Sequence, residues 1–388
     1  MSTPHSTLSQ PKKSGHKATR DWLFNPAELA IIGYSGSGKT TLAERLIARL
    51  APGRRLAFVK HGHGFAMDQP GKDSDRARAA GATVIVLSAP DQHALLSQGE
   101  LDAYAAPRLT LDADWVLVEG YKHQGLPSIL LLDGEARLWH ELDEAARGQV
   151  IAAAGTGPRP AALPPALPWF DRDDVDGLAA LAGEHFVRAL ARRPLYGLVL
   201  AGGKSSRMGQ DKAALNYHGK PQIEHARDLL AGLCQEVFLS LRPDQAAPAG
   251  WSTVSDRFSG FGPLGGILSA QHTHPKAAWL VLACDLPYLT PACLQALLAG
   301  RDPWRLATAF VSTHDGLPEP LAAVWEPKSR FALHHFLALG YDCPRKVLIN
   351  TRPKLLTQAD PRWLDNVNHP GEYQAARAAL SAIPGNTP

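Results

Sequence analysis

Long apolar runs are missing from this chain: in 388 residues no stretch approaches the ~20 apolar positions that cross a bilayer. An excess of charge of one sign is missing too. A formal net charge of +3, with 20% charged residues, excludes the basic footprint of a nucleic-acid or membrane-surface protein. Cysteine is scarce. Cys234, Cys284, Cys293 and Cys343 all fall in the second half without C-x-x-C spacing, so neither a disulfide frame nor a zinc site is expected. Residues 1–22 are polar and basic and lack the apolar core of a signal peptide, which reads as a disordered tail. There is no short-period repeat, and no N-K-x-D guanine-reading motif in residues 1–193. These absences leave a soluble cytoplasmic protein with no nucleic-acid or membrane partner.

What is present is ordinary globular composition, 45% apolar, on a chain too long for one core. Two glycine loops of different kinds each open a half of it. The first, Gly33-Tyr34-Ser35-Gly36-Ser37-Gly38-Lys39-Thr40, fits G-x-x-x-x-G-K-[ST]. The apolar run Leu29–Ile32 precedes it, and Leu42, Leu46 and Leu50 follow at helical spacing, giving strand, loop and helix. Gly33, Ser35, Gly36, Ser37, Gly38, Lys39, Thr40 and Thr41 are therefore the expected nucleotide contacts, with backbone N–H groups around the phosphates. Thr40 would ligate magnesium, together with Glu119 at the end of the apolar run Trp115–Val118.

Further strands are expected at Leu56–Val59, Thr83–Leu87 and Ser128–Leu132, alternating with helices in a mostly parallel sheet. Lys60 follows a strand and could face the phosphates; His61 and His63 alone are a weak metal signal. Gly71-Lys72-Asp73-Ser74 is either a substrate contact or a polar turn. Asp171, Asp173, Asp174 and Asp176 read as an acidic helix start rather than a metal cluster. The proline-rich stretch Pro158–Pro168 resembles a linker, but Trp169-Phe170-Asp171 and a helix over Val175–Leu190 would complete the first domain. The boundary is expected at Arg193-Pro194, giving domains 23–193 and 194–388.

The second loop, Leu200-Ala201-Gly202-Gly203-Lys204-Ser205-Ser206-Arg207-Met208-Gly209-Gln210-Asp211-Lys212, follows the strand Leu195–Leu200. Gly202 and Gly203 let backbone approach a triphosphate, Arg207 would hold departing pyrophosphate, and Lys212 would reach the phosphates or base. Asp285, at the end of the strand Trp279–Ala283, is the expected magnesium ligand. Arg207, Lys212 and Asp285 form the catalytic set. Strands at Val237–Leu241 and Ala307–Ser312 and helices at Glu224–Leu233 and Pro291–Leu298 complete a second α/β unit.

The Walker loop, Val59-Lys60-His61, Pro70-Gly71-Lys72-Asp73-Ser74 and Val116-Leu117-Val118-Glu119-Gly120-Tyr121-Lys122-His123 together resemble the MobB adapter family of molybdopterin dinucleotide biosynthesis, over roughly residues 28–190. The Leu200–Lys212 loop, Asp256 with Gly262-Pro263-Leu264-Gly265-Gly266, Cys284-Asp285-Leu286-Pro287 and Asn366-Val367-Asn368 resemble the MobA guanylyltransferase family, over roughly residues 195–385. The paired resemblance implies a P-loop NTPase-like domain followed by a Rossmann-like nucleotidyltransferase domain, both three-layer α/β. It implies transfer of GMP from GTP to molybdenum-bound molybdopterin, with Mg2+, and delivery to molybdoenzymes or their chaperones. The first domain would bind GTP, hydrolyse it slowly if at all, and form a homodimer. Leu200, Ala201, Gly202, Lys212 and Asp256 would contact GTP, Asp285 would hold magnesium, and Asn366 and Asn368 would line the site.

Two departures from the MobA pattern stand in this chain: Ser240 where that family usually carries asparagine, and the segments Pro318-Glu319-Pro320-Leu321 and Cys343-Pro344-Arg345-Lys346. Cytidylyl transfer to molybdopterin, nucleotidyl transfer to a sugar phosphate, and a delivery protein with little turnover stay open as alternatives. The absence of a hexapeptide-repeat tail argues against the bifunctional sugar-nucleotide enzymes.

Overall fold

The computed structural model describes residues 27–60, 68–97, 109–122, 125–201 and 212–382. The expected N-terminal tail, His61, His63, His123, Gly202, Gly203 and Arg207 lie outside the described residues.

The first half runs β1 (Glu28–Ile32), α1 (Lys39–Leu50), β2 (Leu56–Lys60), α2 (Asp73–Ala79), β3 (Val84–Ser88), β4 (His93–Ser97), β5 (Trp115–Glu119), β6 (Ser128–Leu131), the short helices α3 (Arg137–Glu141) and α4 (Glu144–Arg147), β7 (Val150–Gly155), β8 (Trp169–Asp171) and α5 (Val175–Ala191). Six strands form a parallel sheet in the order β2-β5-β1-β6-β7-β8. Alternate residues of β1 enter two cores. Leu29 and Ile31 pack with Leu42 and Leu46 of α1 and Leu178, Ala182 and Phe186 of α5. Ala30 and Ile32 pack with Leu138, Trp139 and Ala146 on the other face. Burial on both faces explains why these strands are continuous apolar runs.

The Thr83–Leu87 strand exists as β3, but not in the main sheet. It pairs antiparallel with β4 in a separate two-stranded ribbon. The proline-rich stretch ends where β8 pairs with β7, and α5 then packs on α1.

The second half runs β9 (Leu195–Leu200), a 3-10 turn over Lys212–Ala214, α6 (Gln222–Ala231), β10 (Glu236–Leu241), β11 (Ser252–Ser255), α7 (Gly262–Thr273), β12 (Ala278–Ala283), α8 (Pro291–Ala299), β13 (Ala307–Val311), β14 (Pro318–Trp325), α9 (Ser329–Ala338), α10 (Pro344–Ile349), β15 (Lys354–Thr357) and α11 (Pro370–Ser381). Its seven-stranded sheet has the order β11-β10-β9-β12-β14-β13-β15, with β14 antiparallel to both neighbours. Leu280 and Leu282 of β12 face α6 and α8, while Trp279 and Val281 face α7 and α9.

Named side chains join the two halves. Trp304 is buried in the first half's core and meets Trp115 edge-on, ring centroids 5.8 Å apart. Arg54 stacks on both rings. Lys328, 4% exposed, donates from Nζ to the Ala113 carbonyl at 3.3 Å. Glu326, fully buried, is held by Arg193 at 2.7 Å and Arg301 at 2.7 Å.

Candidate nucleotide sites

Each sheet reverses its strand order beside its central strand, and in open α/β sheets ligands bind in the crevice beyond the strand ends at that point. In the first half the crevice lies between β1 and its neighbours β5 and β6. The loop after β1 is closed by Gly36 at φ 77 and Gly38 at φ 89, left-handed conformations that disfavour any side chain. Lys39 opens α1, and its Nζ donates back to the Tyr34 carbonyl at 2.6 Å. Burial holds the Lys39 ammonium below its usual range, Lys60 and Lys122 add to that, and Glu119 opposes it. Ser37 Oγ is buried and finds no partner among the described residues.

Glu119, 5% exposed, ends β5 with Thr40 Oγ1 at 3.0 Å from both carboxylate oxygens. Lys60, at the end of β2, places its Nζ 3.1 Å from Glu119 Oε1 and 3.1 Å from Thr40 Oγ1. An ammonium thus bridges the two groups from which a magnesium site was expected. Gly33, Ser35, Gly36, Ser37, Gly38, Lys39, Thr40 and Thr41 all lie on the loop or the first turn of α1, with Ser35, Gly36, Thr40 and Thr41 exposed.

Gly71–Ser74 forms a polar helix start: Gly71 N donates to Asp75 at 2.8 Å and Ser74 Oγ to Asp68 at 2.7 Å. The aspartates near 171–176 are likewise structural. Asp174 caps α5 by accepting from Gly177 N at 3.0 Å, Asp173 pairs with Arg45 and Asp176 with Arg49. Among the described residues no group of three or more His, Cys, Asp or Glu could hold a metal ion.

In the second half the chain leaves β9 toward β10 and later returns on the other side as β12, with Leu200 registered against Ala283. A cavity of about 690 Å³ opens there. Leu200, Ala201, Lys212, Ser240, Asp256 and Asp285 all line it, as do Gly262, Pro263 and Gly266 at the start of α7. Gly266 lets the walls approach closely: a Cβ there would stand 2.7 Å from Ser240 Oγ and 2.9 Å from Leu200 Cδ2. Lys212 Nζ donates to Asp285 Oδ2 at 3.1 Å and to Asn368 Oδ1 at 2.7 Å. The Val367 amide donates to the Asp285 carbonyl at 2.9 Å, tying the C-terminal segment to the end of β12.

Asp256 is partly committed to its own turn, Oδ1 accepting from Phe258 N at 2.8 Å and lying 3.0 Å from Ser269 Oγ. Neither Asn366, which is exposed, nor Asn368 is in the cavity lining; Asn368 reaches the site only through its contact with Lys212. Arg242 and Asp244, just past the end of β10, and Ser259, between β11 and α7, join the lining although no motif marked them. The two segments that depart from the family pattern meet: Arg345 pairs with Glu319 at 2.7 Å and Asp315 at 2.8 Å, one turn of strand from Leu321 in the cavity wall. Burial pushes the Glu319 carboxyl up, against the pull of the Leu321 amide and Arg345. All four cysteines are free, and burial pushes the Cys234 and Cys293 thiols up to about 12.

Residues 28–155 match the family "Molybdopterin guanine dinucleotide synthesis protein B", and residues 197–354 the "MobA-like NTP transferase domain". A "Molybdenum cofactor biosynthesis bifunctional protein" from Synechocystis is 37% identical over 187 residues, 47% of this chain and 54% of that protein, so the match spans about half that relative's length. A "Probable molybdenum cofactor guanylyltransferase" from Synechococcus elongatus is 34% identical over 46% of this chain and 95% of its own length. A "Molybdopterin-guanine dinucleotide biosynthesis adapter protein" from Escherichia coli is 39% identical over 39% of this chain and 88% of its own. The chain belongs to the MobB family through its first half and to the MobA-like NTP transferase family through its second.

Proposed function

We propose that the second half, residues 194–388, transfers GMP from GTP to molybdenum-bound molybdopterin, and that the first, residues 23–193, is a GTP-binding adapter. The observation that carries the reading is the cavity at the β9–β12 crevice, with Lys212, Asp285 and Asn368 hydrogen-bonded at its edge. Its volume suits a nucleotide with part of a second substrate.

An oxygen of the pterin phosphate attacks the α-phosphorus of GTP, a new P–O bond forms, and the bond to the β-phosphate bridge breaks to release pyrophosphate. No protein nucleophile is needed. Lys212 would neutralise charge on the phosphates, and the N-terminus of α7 would add the positive end of its dipole to the cavity. Ser240 and Gly266 would set how closely the nucleoside packs, while Asp256 shapes the turn leading into α7.

The residues fit magnesium as a hard, oxygen-ligated ion: Asp285 in the second half, and Thr40 with Glu119 in the first, where the Lys60 ammonium already sits as a cation between them. When bound, magnesium would neutralise phosphate charge and polarise the transferred phosphoryl group. Lys39 and Ser37 would turn to the phosphates of the adapter's nucleotide.

A homodimer through the first half is part of the reading. The β3–β4 ribbon stands outside both sheets with Val84, Val86, Leu87 and Leu95 exposed, apolar surface that a second ribbon would cover. Molybdoenzymes or their chaperones would receive the product in the cytoplasm. Among the described residues no helix is long and apolar enough to cross a membrane.

Comparing Asp285→Ala with Lys39→Ala tests the division of labour. Asp285→Ala is expected to abolish dinucleotide formation, and Lys39→Ala only to lower its yield. Equal, complete losses would overturn the adapter assignment.

A further inference from the structure

Arg172 follows β8 and lies against the phosphate loop. A Cβ on Gly38 would stand 3.6 Å from both Cδ and Nη1 of Arg172. Its backbone is held in place: the Arg172 amide donates to the Gly155 carbonyl at 3.0 Å, and Asp174 caps α5 two residues on. Its flanking carboxylates are engaged elsewhere. Asp171 accepts from the Asp173 amide at 2.8 Å, Asp173 pairs with Arg45 at 2.6 Å, and Asp174 accepts from Gly177 N. Among the described residues Arg172 has no ion pair.

A cation beside the N-terminus of α1 has the wrong sign for the helix dipole, and the first turn of that helix already carries the Lys39 ammonium. The arrangement becomes favourable when an anion lies between these groups. Strand order says which part of the anion. Glu119 and Lys60 reach Thr40 from the ends of β5 and β2, on one side of β1, and Arg172 approaches the loop from β8, on the other. In a Walker loop the threonine and its metal mark the terminal-phosphate end. Arg172 therefore faces the opposite end of the triphosphate.

We infer that Arg172 is a contact for the α-phosphate of the nucleotide held by the first half. This assignment rests on the phosphate-loop reading and deepens it: Arg172 would grip GTP and GDP alike, leaving discrimination between them to Lys60, Thr40 and Glu119. Its guanidinium, a planar fork of donors, is suited to two phosphate oxygens at once.

The test is calorimetric titration of the full-length chain with GTP and with GDP. The first-half component is defined as the part of the isotherm that Lys39→Ala removes. Arg172→Met keeps the stem against Gly38 but removes the charge; it is expected to weaken that component roughly tenfold for both nucleotides. Arg172→Lys is expected to recover part of the loss, and the melting temperature without nucleotide to stay unchanged in both. Unchanged affinity in Arg172→Met, or a loss confined to GTP, would overturn the assignment while leaving the loop reading intact. If Lys39→Ala removes no component at all, the phosphate-loop reading falls and the assignment with it.

Discussion

Lys212 and Asp285 meet at 3.1 Å across 73 residues of sequence, and Asn368 completes the contact from 156 residues away by accepting from the same ammonium at 2.7 Å. Three segments, the end of the second glycine loop, the end of β12 and the chain leading into α11, thus converge on one cation. Both charged groups are about a quarter exposed, so the pair is accessible to a ligand and adds little to stability.

Lys212→Ala should therefore damage catalysis more than folding. We expect kcat/KM for GTP to fall by roughly 100-fold or more, in the range seen when one preorganised charge-stabilising donor is removed. The melting temperature should change little. Steady-state pyrophosphate release, with a thermal melt of the same preparation, checks both; an active Lys212→Ala would contradict the placement.

Gly266→Ala tests a close-packed wall of the cavity. The added methyl would meet Ser240 Oγ at 2.7 Å and Leu200 Cδ2 at 2.9 Å, both parts of the cavity wall. Overpacking of this kind costs about 1–3 kcal/mol. The expected result is a lower melting temperature and a KM for GTP raised roughly tenfold.

The contact between the halves carries a pH signature. Burial pushes the Lys328 ammonium down to about 8, with Asp114 and Asp112 opposing and Arg193 assisting. The unfolded chain keeps that proton up to its ordinary range near 10.5, so between the two values it binds more protons than the folded state. Stability must then rise with pH across that window, and below about 8 the cost of burying the charge, on the order of 3 kcal/mol, is fully present. Thermal melts from pH 7 to 10 should show wild type gaining on Lys328→Met above pH 8. Parallel pH profiles would mean that the ammonium is not buried against Ala113.

Val86→Glu with Leu95→Glu places two carboxylates on the exposed ribbon. If the ribbon joins two copies, light scattering should report a dimer for wild type and a monomer for the variant. A monomeric wild type would remove the dimer from the reading.

Much of this was readable from sequence for a physical reason. The apolar runs of β1, β5, β9 and β12 are buried on both faces, and the acid or glycine that ends each run is where the sheet opens to ligand. Glu119 and Asp285 sit at or just beyond those ends, and Lys39, Thr40 and Lys212 close the glycine loops that follow β1 and β9, so pattern and position coincide. Strand β7 was hidden because Ala152, Ala153 and Ala154 have weak strand preference and became a strand through packing between β6 and β8. Strand β14 begins with Pro318 and Pro320, which argue against a strand by local rules. The expectation that Thr83–Leu87 joins the main sheet failed because alternation reports a strand but not its partner. Arg172 beside Gly38 and Lys60 between Thr40 and Glu119 arise from strand order, which no local spacing encodes.

The most direct test of the central claim is molybdopterin-dependent pyrophosphate release with magnesium, run in parallel on GTP, CTP, ATP and UTP. The expected result is release with GTP only, which would make Ser240 a tolerated replacement in a guanylyltransferase. Release with CTP instead would contradict the base assignment while leaving the mechanism. No pterin-dependent release with any nucleotide would contradict the acceptor and, with it, the function.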